Sequence, residues 1–229
     1  MTADEDGSRS VSPTPTEPPV RRIGILGGMF NPPHAGHIAL ARSAASELGL
    51  QRVLLMPVLV PPHKPAKWDP GAEHRLHMCR LAVQGDPHLG VSTLELERPG
   101  PSYTVDTLRS IHASNPDADL TLIVGADMAL TLGSWREPNE ILRLARLAVA
   151  ERDGSARRRV LDALAPLGGE DRTVFLEMAP HDVSSSVVRR RLTAGEPIEE
   201  MVGAEVAGYI AEHELYGRRP ATSRQEAGA

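Results

Sequence analysis

The fold is decided by a short apolar run and the turn residues that follow it, in the stretch RIGILGGMFNPPHAGHIAL at positions 22–40. The run at 23–26 is typical of a buried strand, and a helical pattern begins near position 35. Between them, Gly27 and Gly28 let the backbone turn tightly and approach a ligand without an intervening Cβ. Pro32 and Pro33 then stiffen the connection. This order of residues predicts a ligand-holding loop at the end of a strand.

Two histidines close the loop, His34 directly before the predicted helix and His37 in its first turn. A helix N-terminus presents unpaired backbone N–H groups and the positive end of the helix dipole, so both imidazoles lie where an anion is favoured. A single histidine in such a loop is more often an ordinary loop or capping residue. Two of them beside these glycines and prolines predict a phosphate cradle.

Short runs rich in Leu and β-branched residues alternate with helical patterns along the chain. Six runs are interpreted as strands, at 22–27, 52–57, 89–96, 119–125, 146–150 and 172–178. Several are almost continuously apolar, which is typical of parallel strands covered on both faces. The sequence therefore predicts an α/β, doubly wound (Rossmann-like) parallel sheet with helices on both faces, forming a single domain with a small C-terminal helical part. Ligands of such folds bind beyond the carboxyl ends of the strands, where the first loop lies.

The helices show readable boundaries. The first is expected to end at Gly49 and the next at Gly85, because glycine commonly follows a helix C-terminus. A third follows Ser102 or Thr104 as its cap and ends before Pro116. The apolar stripe of the first helix comprises Ile38, Ala41, Ala45 and Leu48, and the cap of a helix near 184–192 is Ser184, Ser185 or Ser186.

Composition excludes several classes of function. A formal net charge of −5 and 3% aromatic residues match neither an extended phosphate backbone nor base stacking, so no nucleic-acid partner is expected. The central apolar run VLLMPVLV at 53–60 is too short to span a bilayer, so no membrane contact is expected. The single cysteine, Cys79, can form no internal disulfide, which fits a cytoplasmic protein. We expect a disordered leader at 1–21, the domain at 22–217 and a flexible tail at 218–229.

The loop matches neither common fingerprint for phosphate binding, since it contains no G-x-G-x-x-G and no G-x-x-x-x-G-K-[ST]. Its pattern G-G-x-F-N-P-x-H-x-G-H at 27–37 resembles the signature of the nucleotidyltransferases that share H-x-G-H with class I aminoacyl-tRNA synthetases. Further stretches are similar, in the same order, to the bacterial nicotinate mononucleotide adenylyltransferases. They are PPHK at 61–64, PSYTVDTL at 101–108, GAD at 125–127, Trp135, and SSSVVR at 184–189. The resemblance extends from about Arg22 to Tyr216.

This resemblance implies a role for each motif. The residues implied in catalysis are His34, His37, Lys64 and Arg189. The implied ATP site comprises Gly27, Gly28, Met29, Phe30, His34, His37, Gly125, Asp127, Ser185, Ser186 and Arg189. The implied acceptor site comprises Asn31, His63, Lys64, Thr104 and Trp135. Within it, Thr104 would help receive the nicotinate carboxylate, and Trp135 would stack on the pyridine ring.

Each of these residues also has an ordinary structural interpretation. Lys64 can be a solvated loop residue, Thr104 and Asp127 can cap helices, and the arginines at 189–191 can form a solvated face. Asp127 directly follows a buried strand, where its carboxylate could accept hydrogen bonds from ribose hydroxyls. Trp135 has a core role as its default, but its neighbours in LGSWREP are loop formers and favour a rim position. Arg136 departs from the aromatic or polar residue typical of the family.

The reaction implied is adenylyl transfer from ATP to nicotinate mononucleotide, giving deamido-NAD and pyrophosphate. Mg²⁺ is expected to arrive with the triphosphate, because the chain shows no dense carboxylate cluster. Neighbouring phosphates are expected to favour the protonated imidazoles of His34 and His37. A homo-oligomer is compatible with the sequence. Two alternatives stay open: a transferase of the same fold with another acceptor, such as nicotinamide mononucleotide or phosphopantetheine, and a nucleotide sensor without turnover.

Overall fold

A parallel sheet forms the centre of the molecule. The computed structural model describes residues 21–60, 68–151, 154–177 and 183–217. Its strands are β1 (Arg22–Gly28), β2 (Arg52–Pro57), β3 (Leu89–Val91), β4 (Asp119–Gly125), β5 (Ala145–Glu151) and β6 (Thr173–Glu177). They pair in the order β3-β2-β1-β4-β5-β6, and every pair is parallel. Strand order therefore reverses between β1 and β4, where a doubly wound sheet opens its ligand crevice.

Helices connect the strands and extend beyond the last one. They are α1 (Ala35–Glu47), α2 (Ala72–Ala82), α3 (Leu94–Glu97), α4 (Thr104–Ser114), α5 (Ala126–Ala129), α6 (Pro138–Leu144), α7 (Arg157–Leu164), α8 (Ser185–Ala194), α9 (Glu199–Val202) and α10 (Ala204–Glu212). Short 3-10 turns lie at Leu132–Ser134, Ala165–Leu167 and Glu170–Arg172. None of the helices in the described ranges combines the length and the apolar character needed to cross a bilayer.

Both faces of the sheet are covered, as the apolar runs predict. On β1, Ile25 packs into one core and its neighbour Leu26 into the other, because successive side chains point to opposite faces. The helices α4, α6 and α7 supply the first core, and α1 and α2 supply the second. The α/β, doubly wound fold is thereby confirmed.

A third cluster belongs to the C-terminal helices. Val188 of α8, Val202 of α9 and Val206 of α10 are buried together with Met78 of α2. The expected small helical part is therefore present, and it packs against α2 through Met78, whereas the neighbouring Cys79 enters the sheet core. Apart from Arg21, the leader expected at 1–21 and the tail expected at 218–229 lie outside the described residues.

Two predictions about local structure were wrong. The strand predicted at 89–96 ends at Val91, and α3 begins at Leu94. The Ser92 hydroxyl accepts from the Leu94 N–H, and the Thr93 hydroxyl donates to Glu97, so side chains that compete with a ladder start a helical turn instead.

The second error concerns the start of α4, which neither Ser102 nor Thr104 caps. Tyr103 occupies the N-cap position without a side-chain hydrogen bond, and Thr104 is the first helical residue. The Ser102 hydroxyl instead accepts from the Leu59 N–H, and so ties this turn to the chain after β2. At α8, by contrast, Ser184 is the cap and accepts from the Val187 N–H.

Candidate active site

The signature loop connects β1 to α1 at the carboxyl edge of the sheet. His34 is the N-cap of α1, with an extended backbone at φ −147° and ψ 169°. This geometry turns the chain out of the loop and into the helix, and it places His37 in the first turn as expected. The loop thus lies beside the point where β1 and β4 carry the chain to opposite sides.

The two histidines contact each other directly. The Nδ1 atom of His37 accepts from the backbone N–H of His34 at 3.2 Å, and the ring centroids are 3.7 Å apart. Burial, helped by the nearby charge of His34, lowers the pKa of His37 to about 3. In the absence of ligand His37 is therefore neutral at physiological pH. Because Nδ1 is the acceptor, the ring proton is on Nε2, which can donate to a phosphate oxygen.

Phe30 supports the loop from beneath. It is 1% exposed, its φ of +47° lies in the left-handed region, and the edge of its ring meets His37 with centroids 4.9 Å apart. A Cβ on Gly28 would lie 3.3 Å from that ring, whereas one on Gly27 would meet no atom within 4 Å. The Phe30 ring can therefore pack closely against Gly28, which has no side chain, whereas Gly27 faces open space. Left-handed backbone at a bulky residue costs on the order of 1 kcal/mol, and it recurs at functional sites.

The carbonyl groups of the loop are bonded from behind. Arg75 of α2 donates to the Met29 carbonyl at 3.0 Å, and Arg189 of α8 donates to the Asn31 carbonyl at 2.5 Å. The Ser185 hydroxyl donates to the Pro32 carbonyl at 2.9 Å. These bonds fix which way the peptide groups of the loop face.

Arg75 is the least expected member of this set. Its side chain is fully buried, and its Nε atom donates to the Asp69 carboxylate at 2.9 Å. A guanidinium without exposure is kept charged only where such partners replace water. The sequence offered no signal for it, because a lone arginine inside an amphipathic helix is usually solvated.

A cavity of about 640 Å³ opens at this edge of the sheet. The predicted site residues that line it are Gly27, Gly28, Met29, His37, Thr104, Gly125 and Trp135. The phosphate side, Gly27, Gly28 and His37, therefore shares one cavity with the side expected to hold the acceptor. Its volume suits a ligand of ordinary cofactor size.

Aromatic and polar groups form the other side of the cavity. Trp135 is half-buried and donates from Nε1 to the Thr131 hydroxyl at 3.2 Å, which fixes the indole plane. Trp135 lines the cavity, as expected of a rim position, and it also packs against the first core. Tyr103 and Arg136 also line the cavity, and the guanidinium carbon of Arg136 lies 4.8 Å from the centroid of the Tyr103 ring.

A buried carboxyl group underlies the start of α4. Glu95 is 5% exposed and accepts from the Thr107 hydroxyl at 2.7 Å, while Arg98 donates to that same hydroxyl at 2.9 Å. Burial raises the pKa of Glu95, and the bond from Thr107 works in the opposite direction. Sequence reasoning missed this network, since the stretch holding Glu95 was interpreted as the end of a strand.

The other described residues of the predicted site are not among those that line the cavity. Asp127 is exposed in the first turn of α5 and folds back over Gly125, where a Cβ would lie 2.6 Å from its Oδ1 atom. Asn31 is buried within the loop, and Ser186 is exposed with its hydroxyl 2.9 Å from that of Ser184. His63 and Lys64 fall within 61–67, outside the described residues.

Metal ligands do not converge within the described ranges. No group of three or more histidine, cysteine or carboxylate side chains there is placed to hold a metal ion.

Comparison with known proteins gives a consistent family pattern. Residues 25–191 match the model of the cytidylyltransferase-like family. A nicotinate-nucleotide adenylyltransferase of Symbiobacterium thermophilum is 41% identical over 86% of this chain and 96% of its own length. One of Thermomicrobium roseum is 40% identical over 85% of this chain and 91% of its own.

The fold is shared with solved structures as well. The nicotinic acid mononucleotide adenylyltransferase of Plasmodium falciparum, solved in complexes with APC and with NaAD, superposes with a TM-score of 0.67. The match covers 86% of this chain and 97% of that one, at 17% identity. Similarity at this level supports the architecture alone.

Proposed function

The chain belongs to the cytidylyltransferase-like family and groups with its nicotinate-nucleotide adenylyltransferases, and from this we propose that it transfers the adenylyl group of ATP to nicotinate mononucleotide. The products are deamido-NAD and pyrophosphate, and the reaction is a step of NAD biosynthesis. One observation carries the proposal within this chain: a single cavity joins the glycines and His37 to Trp135 and Thr104. A phosphate-binding wall and an aromatic wall in one cavity match a substrate pair of triphosphate and pyridine nucleotide.

The chemistry requires no nucleophile from the protein. A phosphate oxygen of nicotinate mononucleotide attacks the α-phosphorus of ATP, a new P–O bond forms, and the bond to the β-phosphate oxygen breaks. Pyrophosphate leaves with the bonding electrons. The protein must align the two phosphates in line and offset the charge that moves to the leaving group.

The residues of the loop meet that demand. The Nε2–H of neutral His37 donates to a phosphate oxygen, and the backbone at Gly27 and Gly28 approaches the triphosphate without a side chain between. Phosphates that come close to His37 raise its pKa, so the expected protonation belongs to the complex with ATP rather than to the free protein. His34, stacked on His37, supplies a second donor in this proposal.

The start of α8 acts on the same loop. Arg189 and Ser185 bond to loop carbonyls, which supports a positioning role for both in addition to the phosphate contacts proposed for them and for Ser186. Asp127 and Gly125 are proposed to receive the ribose of ATP, and His63 and Lys64 to contact the phosphates.

Magnesium is proposed to enter with the triphosphate, because phosphate oxygens are ligands that it prefers. When bound, the ion would offset charge on the β- and γ-phosphates. Asp127, which is exposed in the first turn of α5, is proposed to contact the ion through a water molecule. We further propose that residues 22–217 form the catalytic domain of a cytoplasmic enzyme that is able to form a homo-oligomer.

A parallel assay of acceptors tests the proposal. The protein is incubated with Mg-ATP and, separately, with nicotinate mononucleotide, nicotinamide mononucleotide and phosphopantetheine, while pyrophosphate is measured and the product is identified by mass. We expect the fastest release with nicotinate mononucleotide, and deamido-NAD as its product. A higher rate with phosphopantetheine would favour the alternative acceptor, and ATP binding without any release of pyrophosphate would favour a sensor.

A further inference from the structure

Arg136 is a charged residue in the acceptor half of the cavity, and no carboxylate of the described residues lies within hydrogen-bond distance of it. It lines the cavity beside Trp135, and its side chain is 52% exposed. Its ion pairs within the described ranges are with Asp106 and Glu137, both at 3.8 Å, which is longer than a hydrogen bond. Its guanidinium instead lies over the ring of Tyr103.

Of the two carboxylates near Arg136, that of Glu137 is already bound by another arginine. Arg109 donates to both oxygens of Glu137, at 3.1 Å and 2.5 Å, and approaches Asp106 at 3.8 Å. A bidentate pair of this kind holds the carboxylate in place. A carboxylate arriving with a ligand would therefore meet an Arg136 whose hydrogen-bonding groups are available.

The position of Arg136 also matches the place where an acceptor carboxylate would lie. Tyr103, under the guanidinium, is the N-cap of α4, an 11-residue helix that begins at Thr104. The first N–H groups of a helix have no partner within it and favour an anion. Trp135, the chain neighbour of Arg136, supplies the aromatic face in the same cavity. A pyridine ring on that face would direct a ring carboxylate toward Thr104 and Arg136.

We propose that the guanidinium of Arg136 binds the carboxylate on the pyridine ring of the acceptor, so that Arg136 selects a nicotinate over a nicotinamide acceptor. The proposal rests on the function proposed above and adds a specificity-determining residue to it. The planar fork of arginine pairs with both oxygens of a carboxylate. A carboxamide has no charge and presents one oxygen and one NH₂ group, which is itself a donor and faces the donors of the guanidinium.

The test compares both acceptors in four proteins: the wild type, Arg136→Gln, Arg136→Lys and Arg143→Gln. Arg143 is the matched control, since it is an exposed arginine of α6 that pairs with Glu140 outside the cavity lining. We expect Arg136→Gln to lower kcat/KM for nicotinate mononucleotide by about tenfold, the lower end for a charged hydrogen bond because the site is half-exposed. The kcat/KM of Arg136→Gln for nicotinamide mononucleotide should stay within about twofold of the wild-type value. The kcat/KM of Arg136→Lys for nicotinate mononucleotide should lie between those of the wild type and Arg136→Gln, since lysine keeps the charge but lacks the planar guanidinium fork.

Calorimetric measurement of acceptor binding completes the design, because it does not depend on turnover. The affinity of Arg136→Gln should fall for the nicotinate compound alone. Equal losses for both acceptors, or an unchanged ratio between them, would overturn the role of Arg136. The function proposed above fails separately, if the wild type releases no pyrophosphate with either acceptor.

Discussion

At the scale of single residues, His37 carries the clearest physical signature. Its pKa is lowered to about 3, first by burial and then by the nearby charge of His34, and its ring contacts those of His34 and Phe30. The bond from the His34 N–H fixes its tautomer, so the proton is on the nitrogen that is left for a ligand. A buried, oriented and neutral donor is preorganised for a phosphate oxygen.

Removal of this donor should slow catalysis. We expect His37→Ala to lower kcat by at least about a hundredfold, the usual loss when one oriented donor is removed from a developing charge. The matched control is His88→Ala, which removes an exposed histidine at the opposite edge of the sheet. Steady-state kinetics with Mg-ATP and nicotinate mononucleotide measures both. Near-normal turnover in His37→Ala would remove His37 from the catalytic set.

The low pKa of His37 should also make the free energy of unfolding depend on pH. The pKa of His37 is about 3 in the folded protein and ~6.5 in an unfolded chain, so the unfolded state binds more protons between these values. The neutral imidazole therefore contributes its full stability above the pKa that His37 has in the unfolded chain. This contribution is lost as the pH falls toward the pKa of His37 in the folded protein. As the pH falls from ~6.5 to ~5, the free energy of unfolding in urea should decrease by about 2 kcal/mol more in the wild type than in His37→Gln. Parallel losses in the two proteins would contradict a buried neutral His37.

At the scale of elements, β1 combines a packing role and a binding role along one strand. A Cβ on Gly24 would lie 2.8 Å from Leu50 and 2.9 Å from Ile123, in the core behind the sheet. Gly27 has no atom within 4 Å of the same position, because it faces the cavity. Both glycines are necessary, for two different reasons.

This difference predicts opposite phenotypes for one substitution at two positions. Gly24→Ala should lower the free energy of unfolding by about 1–2 kcal/mol through overpacking, with the KM for ATP unchanged. Gly27→Ala should keep its stability but raise the KM for ATP by about tenfold or more, because the new methyl group occupies ligand space. Denaturant unfolding and kinetics on both variants give the comparison. A normal KM in Gly27→Ala would place ATP elsewhere.

Local sequence patterns predicted most of these elements. The predictions were wrong where a side-chain hydrogen bond changed the path of the backbone. The parallel strands followed from their continuous apolar runs, and α1 followed from its stripe and the glycine after it. The strand expected at 89–96 was wrong because Ser92 and Thr93 bond locally and start α3. The cap expected at Ser102 was wrong because its hydroxyl bonds to Leu59, 43 positions earlier.

Contacts between distant segments were beyond the reach of the sequence. Arg75 contacts Met29 across 46 positions, and Glu95 contacts Thr107 from a helix that was taken for a strand. No local period marks such pairs. The motifs identified which stretches meet at the site, whereas the buried groups that hold those stretches became visible only in the folded chain.

At the scale of the whole molecule, α2 and the C-terminal helix α8 hold the N-terminal loop in place. Arg75, Arg189 and Ser185 each bond a carbonyl of the loop, and α2 packs on α10 through the third core cluster. The two ends of the described chain therefore meet at the site. The strand order explains the rest of the cavity lining, because the crevice between β1 and β4 lets the loop after β1 face Trp135, which follows β4.

Loss of this support should weaken both folding and ATP binding. We expect Arg75→Met to lower the free energy of unfolding by about 3 kcal/mol, because Asp69 and the Met29 carbonyl lose a buried charged partner. The KM for ATP should rise while the KM for nicotinate mononucleotide stays close to that of the wild type. Arg80→Met, an exposed arginine on the same helix, is the control. A stable variant with unchanged KM for ATP would show that Arg75 does not position the loop.

The most direct test of the central claim is a crystal structure of the protein with an unreactive ATP analogue and Mg²⁺. We expect a triphosphate within hydrogen-bond distance of His37 Nε2 and the amides at Gly27 and Gly28, with the start of α8 on its other side. The contradicting result is a triphosphate at the opposite edge of the sheet, where Arg22 and Arg146 line a separate cavity of about 320 Å³.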